Sequence, residues 1–118
     1  MRRVFLVLTL VVLAVAALPA CSGAAAAPTC DTPTAATQVE LSDFAFGPEC
    51  VEASAGDTLT ITNTGGAPHT FTVSDTDVNV SLDDGETGEA VLDGLTAGTT
   101  YAVHCTYHPQ MVGALKIV

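Results

Sequence analysis

Three side chains able to bind a metal stand within seven residues of one another: Cys105, His108 and Met111, in the spacing Cys-x-x-His-x-x-Met. A thiolate, an imidazole and a thioether so close in sequence cannot share a helical face, because Pro109 follows the histidine and lacks a backbone donor. A tight turn between two strands can instead aim all three at one point. Soft sulfur with imidazole suits copper, and two histidines plus one cysteine with a weak axial methionine is the donor set of copper electron-transfer sites. Zinc fits less well, since a thioether is a poor zinc ligand and a fourth good donor is missing. The loop supplies one histidine, so a second must come from elsewhere in the chain.

The elements that would position such a site read as strands. From residue 39 onward the apolar period is two, not 3.6. Leu59, Ile61 and Asn63 alternate with threonines, and His69, Phe71 and Val73 do the same. Tyr101, Val103 and Cys105 share a face, as do Met111, Gly113, Leu115 and Ile117. Turn signals separate these runs at Gly56-Asp57, Gly65-Gly66, Asp84-Gly85, Asp93-Gly94 and Gly98. The pattern predicts an all-β, two-sheet sandwich of about seven to eight strands. Its alternation places Asn63, His69, Cys105 and Met111 on inward faces at strand ends, where they could meet at one pole. His104 falls on the opposite face from Cys105 and is expected to point away from that pole.

With those residues in place, the segment Tyr101 to Met111 resembles the copper loop of the cupredoxins, the small blue copper proteins. It is most similar to their amicyanin and plastocyanin branch in its short Cys-x-x-His-x-x-Met spacing and its His104-Cys105 pair. Ala67-Pro68-His69, six residues after Asn63, is similar to the family's first-ligand segment, and Phe46-Gly47-Pro48 with Val51 is similar to its opening strands. The resemblance spans about residues 38–118 and implies a Greek-key sandwich. It implies one type 1 copper ion held by His69, Cys105, His108 and Met111. It also implies that Asn63 ties its strand to the ligand loop near Thr106. In nitrite reductases and multicopper oxidases, a histidine beside the cysteine binds a second copper. With only His69, His104 and His108 in the chain, a second copper is not expected here.

The start of the chain reads as an export signal. Met1-Arg2-Arg3 is basic, and the 15 residues from Val4 to Leu18 are apolar apart from Thr9, the length of a signal-peptide core and short for a membrane span. Leu18-Pro19-Ala20-Cys21 resembles a bacterial lipobox, so residues 1–20 are expected to be a lipoprotein signal peptide with lipid on Cys21. An ordinary signal peptide cleaved nearby is the alternative. Residues 21–37, rich in Ala, Pro and Thr, read as a tether, and residues 38–118 as the domain. With Cys21 assigned to lipid and Cys105 to metal, Cys30 and Cys50 are expected to pair in an oxidising compartment, the alternative being a free Cys30 in the linker.

Beyond the signal, 13 Asp and Glu face a single Lys, Lys116, for a side-chain charge of about −12. Such a polyanion excludes nucleic acid as a partner. Seven of the acidic residues fall between Asp75 and Asp93, either as a solvated face or as a docking surface for a basic partner. The reading that follows is a non-enzymatic electron carrier, monomeric and exported. Its place is the outer face of a bacterial cell membrane or the periplasm. A redox protein would dock near His108. A copper carrier or store for homeostasis is the alternative.

Overall fold

The computed structural model describes residues 29–118. Among them there are ten strands and no helix: β1 Thr34–Ala35, β2 Gln38–Ser42, β3 Ala45–Gly47, β4 Cys50–Ala53, β5 Thr58–Asn63, β6 His69–Val73, β7 Asn79–Leu82, β8 Thr87–Val91, β9 Thr100–His104 and β10 Val112–Ile117. One sheet runs β1-β4-β10-β9-β6-β7 and the other β3-β2-β5-β8. Both are mixed: β4 lies parallel to β1 and β10, and β2 parallel to β5, while the remaining pairs are antiparallel. The chain changes sheet at every connection except β2 to β3, β6 to β7 and β9 to β10, which join antiparallel neighbours within one sheet.

That core is the alternation of the sequence made solid. Leu59, Ile61 and Asn63 are buried along β5 while the threonines between them are not. Leu41, Ile61, Val73, Leu92, Leu115 and Ile117 are wholly enclosed, each of them worth about 1.5–3 kcal/mol of burial. Phe46 and Phe71 meet edge to face at 6.0 Å. At Gly113 the backbone of β10 passes close to the turn before β4. A Cβ there would stand 2.7 Å from the Glu49 carbonyl oxygen, and its absence lets Ala114 N–H reach that same oxygen at 2.8 Å.

The strand count exceeds the seven to eight expected. The surplus lies in short elements: β1 has two residues and β3 three, too few to express a period of two. The stretch expected as a tether also enters the domain before residue 38. Thr34 and Ala35 pair with Val51 and Glu52, and Ala36 packs against the core. Backbone pairing needs no large side chain, so composition does not reveal it. Cys30 and Cys50 are disulfide-bonded, with Cα atoms 5.6 Å apart, and lay this segment along β4. Closing a loop of this length contributes about 3 kcal/mol in the chain-entropy view. The export signal and the lipid on Cys21 lie outside the described residues.

Candidate metal centre

His69 opens β6, and Cys105 follows directly on β9. The turn from Cys105 to Met111 then carries the chain into β10 and is closed by its own backbone: Cys105 N–H donates to Met111 C=O at 3.1 Å, and Met111 N–H to His108 C=O at 2.9 Å. The loop is locked to β6 by Thr70, whose Oγ1 accepts from Thr106 N–H at 2.9 Å and whose own N–H points at Cys105 Sγ at 3.4 Å.

These bonds bring three of the expected donors together. One ligand atom each from His69, Cys105 and His108 lies within 4.8 Å of the others. Cys105 Sγ is 3.9 Å from His69 Nδ1 and 3.5 Å from His108 Nδ1. A metal bonded at about 2.0 Å to nitrogen and about 2.3 Å to sulfur, at trigonal to tetrahedral angles, would separate those atoms by about 3.5–3.7 Å. The observed distances bracket that span. Met111 is wholly buried at the far end of the loop, beside Cys105 through their shared backbone bond. The donors fit a soft, imidazole-accepting ion such as copper.

The electrostatics suit a thiolate. Burial pushes the Cys105 thiol up, but the Thr70 N–H, the His69 imidazole, the Tyr107 N–H and the His108 imidazole together bring it down to about 6. Burial likewise works to lower His69, yet its contacts with Cys105 and Asp43 outweigh that and raise it above the ordinary value. Asp43 is held low, first by the Gly66 N–H and then by His69.

His104 lies outside the cluster, as its strand phase predicts. It is half-buried, and its Nδ1 meets Ser74 Oγ at 3.1 Å. Asn63 does not reach the ligand loop. Its Nδ2 donates to Ala67 C=O at 2.8 Å and Leu82 C=O at 3.1 Å, and its Oδ1 accepts from Gly65 N–H at 2.9 Å. Asn63 therefore shapes the turn that delivers His69, and Thr70 makes the link to Thr106. The expectation failed because an inward phase fixes the face of a side chain, not which of several nearby backbone groups it meets.

Three residues escaped the sequence: Thr70, Asp43 and Phe44. Thr70 lies on the outward phase of β6 yet is 2% exposed. Asp43 accepts from His69 Nε2 at 2.7 Å, and the Phe44 ring stands 4.7 Å from that of His108. Both come from the β2–β3 turn, which carries no local signature of a site.

The sequence matches the profile of the cupredoxin-like domain over residues 6–117. The chain belongs to the cupredoxin-like family. Solved cupredoxin folds resemble it at low identity. A purple cupredoxin from Nitrosopumilus maritimus is 22% identical with a TM-score of 0.58, covering 70% of this chain and all (100%) of its own. A Cu(I) form of an amicyanin variant is 22% identical with a TM-score of 0.57, covering 75% of this chain and 87% of its own. A copper-containing nitrite reductase from Thermus scotoductus SA-01 is 21% identical with a TM-score of 0.58 over 74% of this cupredoxin, which spans only 22% of the reductase chain. No curated protein matches the sequence.

Proposed function

We propose that this cupredoxin is an electron carrier that holds one type 1 copper ion through His69, Cys105, His108 and Met111. The observation that carries the reading is the convergence of two imidazoles on a buried, low-pKa thiol inside a loop fixed by its own backbone. Copper in such a donor set supplies a one-electron Cu(II)/Cu(I) couple. The chain supplies the rest. Thr70 and Thr106 keep the loop in place, and the surrounding core keeps water from Cys105. Little therefore has to move when the charge changes.

Entry and exit of the electron belong to His108, the half-buried ligand. Around it stand exposed apolar groups: Phe44 at 48% exposure and Tyr107 at 54%, with Pro68 and Pro109 also at the surface. A redox partner could approach that imidazole closely with little desolvation cost. The domain would be exported and tethered by lipid on Cys21, for which the lipobox-like sequence is the support. The disulfide between Cys30 and Cys50 accords with an oxidising compartment. A storage or delivery role has less support, because the described residues form one donor cluster only.

The test is optical. Copper(II) added to the purified domain should give an intense visible thiolate-to-metal band and a reversible one-electron couple. A colourless one-to-one complex, or a spectrum that survives Cys105→Ala, overturns the reading. Cys21→Ser should release the protein from the membrane fraction of expressing cells; unchanged membrane retention would refute the anchor.

A further inference from the structure

The imidazole of His69 has two nitrogens, and the copper reading uses only one. Nδ1 faces Cys105. Nε2 lies 2.7 Å from Asp43 Oδ1, so this nitrogen carries the proton and donates it to the carboxylate, leaving the Nδ1 lone pair free. The other carboxylate oxygen, Oδ2, accepts from Gly66 N–H at 2.9 Å. Asp43 is therefore pinned at both ends and cannot drift from the ring. Space has been kept for this bond: a Cβ on Gly65 would fall 2.9 Å from His69 Nε2 and in direct collision with Asp43 Oδ1. No cationic side chain offsets the charge. Lys116 is the single Lys or Arg among the described residues, and it lies 3.9 Å from Glu52.

From this geometry we propose that Asp43 is a positioning residue of the metal centre. It fixes the tautomer and orientation of His69 and places a negative charge behind the ligand, which favours the more highly charged Cu(II) and lowers the reduction potential. A hydrogen-bonded carboxylate behind a ligating histidine holds the ring and raises its basicity, and losing such a partner typically weakens metal binding by about 10–100-fold. Here the carboxylate comes from the opposite sheet, from the β2–β3 turn. The inference rests on the copper reading above.

Asp43→Asn keeps an oxygen that can accept from Nε2 but removes the charge. It should shift the ratio of Cu(I) to Cu(II) affinity by about tenfold toward Cu(I), equivalent to a rise of about 59 mV for a one-electron couple. Asp43→Ala removes the bond as well and should also lose copper affinity, about tenfold or more. Gly65→Ala, which wedges the pair apart without replacing either partner, should reproduce the Asp43→Ala loss. Asp93→Asn at the opposite pole serves as the charge control and should leave the potential in place. In the wild-type Cu(I) protein, nitrogen NMR should find His69 protonated at Nε2 in a slowly exchanging site, a readout that needs no variant. A wild type that gives neither the visible band nor the couple defeats the copper reading. A blue, redox-active wild type whose potential matches that of Asp43→Asn, or whose His69 carries its proton on Nδ1, defeats this inference alone.

Discussion

The two histidines beside Cys105 are built in opposite ways. His69 is wholly enclosed and held on its outer nitrogen by Asp43, a residue distant in sequence, after a turn shaped by Asn63. His108 is half-buried on a seven-residue loop closed by its own backbone, with the rings of Phe44 and Tyr107 against it. One imidazole is fixed by tertiary structure and the other by local chain geometry. Under the proposed copper reading the difference assigns them different work: His69 would set the geometry and charge of the centre, and His108 would bring its edge to the surface.

The comparison is broken most forcefully by deleting each ring. His108→Gly opens a gap to solvent, so added imidazole should enter and restore the visible band. His69→Gly opens a sealed cavity, so imidazole should not restore it. Emptying that buried site should also cost about 2–5 kcal/mol of stability, the range for large-to-small core changes. Spectra with and without imidazole, together with urea denaturation, measure both. Rescue of His69→Gly as readily as His108→Gly would erase the distinction.

Acid should act next most strongly, through the residue that the two histidines share. The Cys105 thiol is drawn down to about 6, so thiolate is present at neutral pH. Because the folded value is the depressed one, this ionisation stabilises the metal-free fold at alkaline pH, and the contribution is lost as pH falls through about 6. Copper affinity should drop by about tenfold or more for each pH unit below that point, as protons compete for the thiolate and for the His69 imidazole, whose proton affinity is raised. The ultraviolet thiolate absorbance of the metal-free domain tests it. A midpoint near the ordinary thiol value would contradict the electrostatic account.

Thr70 joins the two halves, and Thr70→Val removes the acceptor for Thr106 N–H while keeping the shape. We expect about 1–2 kcal/mol of destabilisation and a broadened visible band, read by denaturation and spectroscopy of the copper-loaded protein. An unaltered variant would mean that the loop holds its place without β6. The smallest expected effect belongs to the surface. Pro109→Glu should leave the spectrum alone yet slow electron exchange with a basic redox protein several-fold even in high salt, where long-range attraction is screened within about 10 Å or less. Wild-type speed under those conditions would place the electron's exit elsewhere than at His108.

Much of this was legible in the chain because strands carry a period of two. The inward phase of Leu59, Ile61 and Asn63, and of Phe71 and Val73, appears in the burial of β5 and β6. His104 lies on the face its phase predicted. The Cys-x-x-His spacing placed Cys105 and His108 in one cluster because a seven-residue turn leaves few alternatives. Periodicity says nothing, however, about strands of two or three residues, so β1 and β3 were invisible. The acidic run from Asp75 to Asp93 looked like one surface. The connections divide it: Asp83, Asp84 and Glu86 turn at the His69 end, where Leu82 pairs with His69, while Asp75, Asp77 and Asp93 lie at the other end.

By itself, then, the sequence determined the longer strands, most of their buried faces, the disulfide partners and the local donor loop, all of which depend on composition or on spacing along the chain. The contacts that complete the centre were decided only by the tertiary structure. Asp43 stands 26 residues from His69 in sequence, and Thr70 stands 36 residues from Thr106. No local pattern encodes such pairs, because each depends on how two sheets and their turns come into register. The β2–β3 turn shows this most clearly. Along the chain it is a short link between two strands, and in the fold it places a carboxylate behind one histidine and an aromatic ring beside the other.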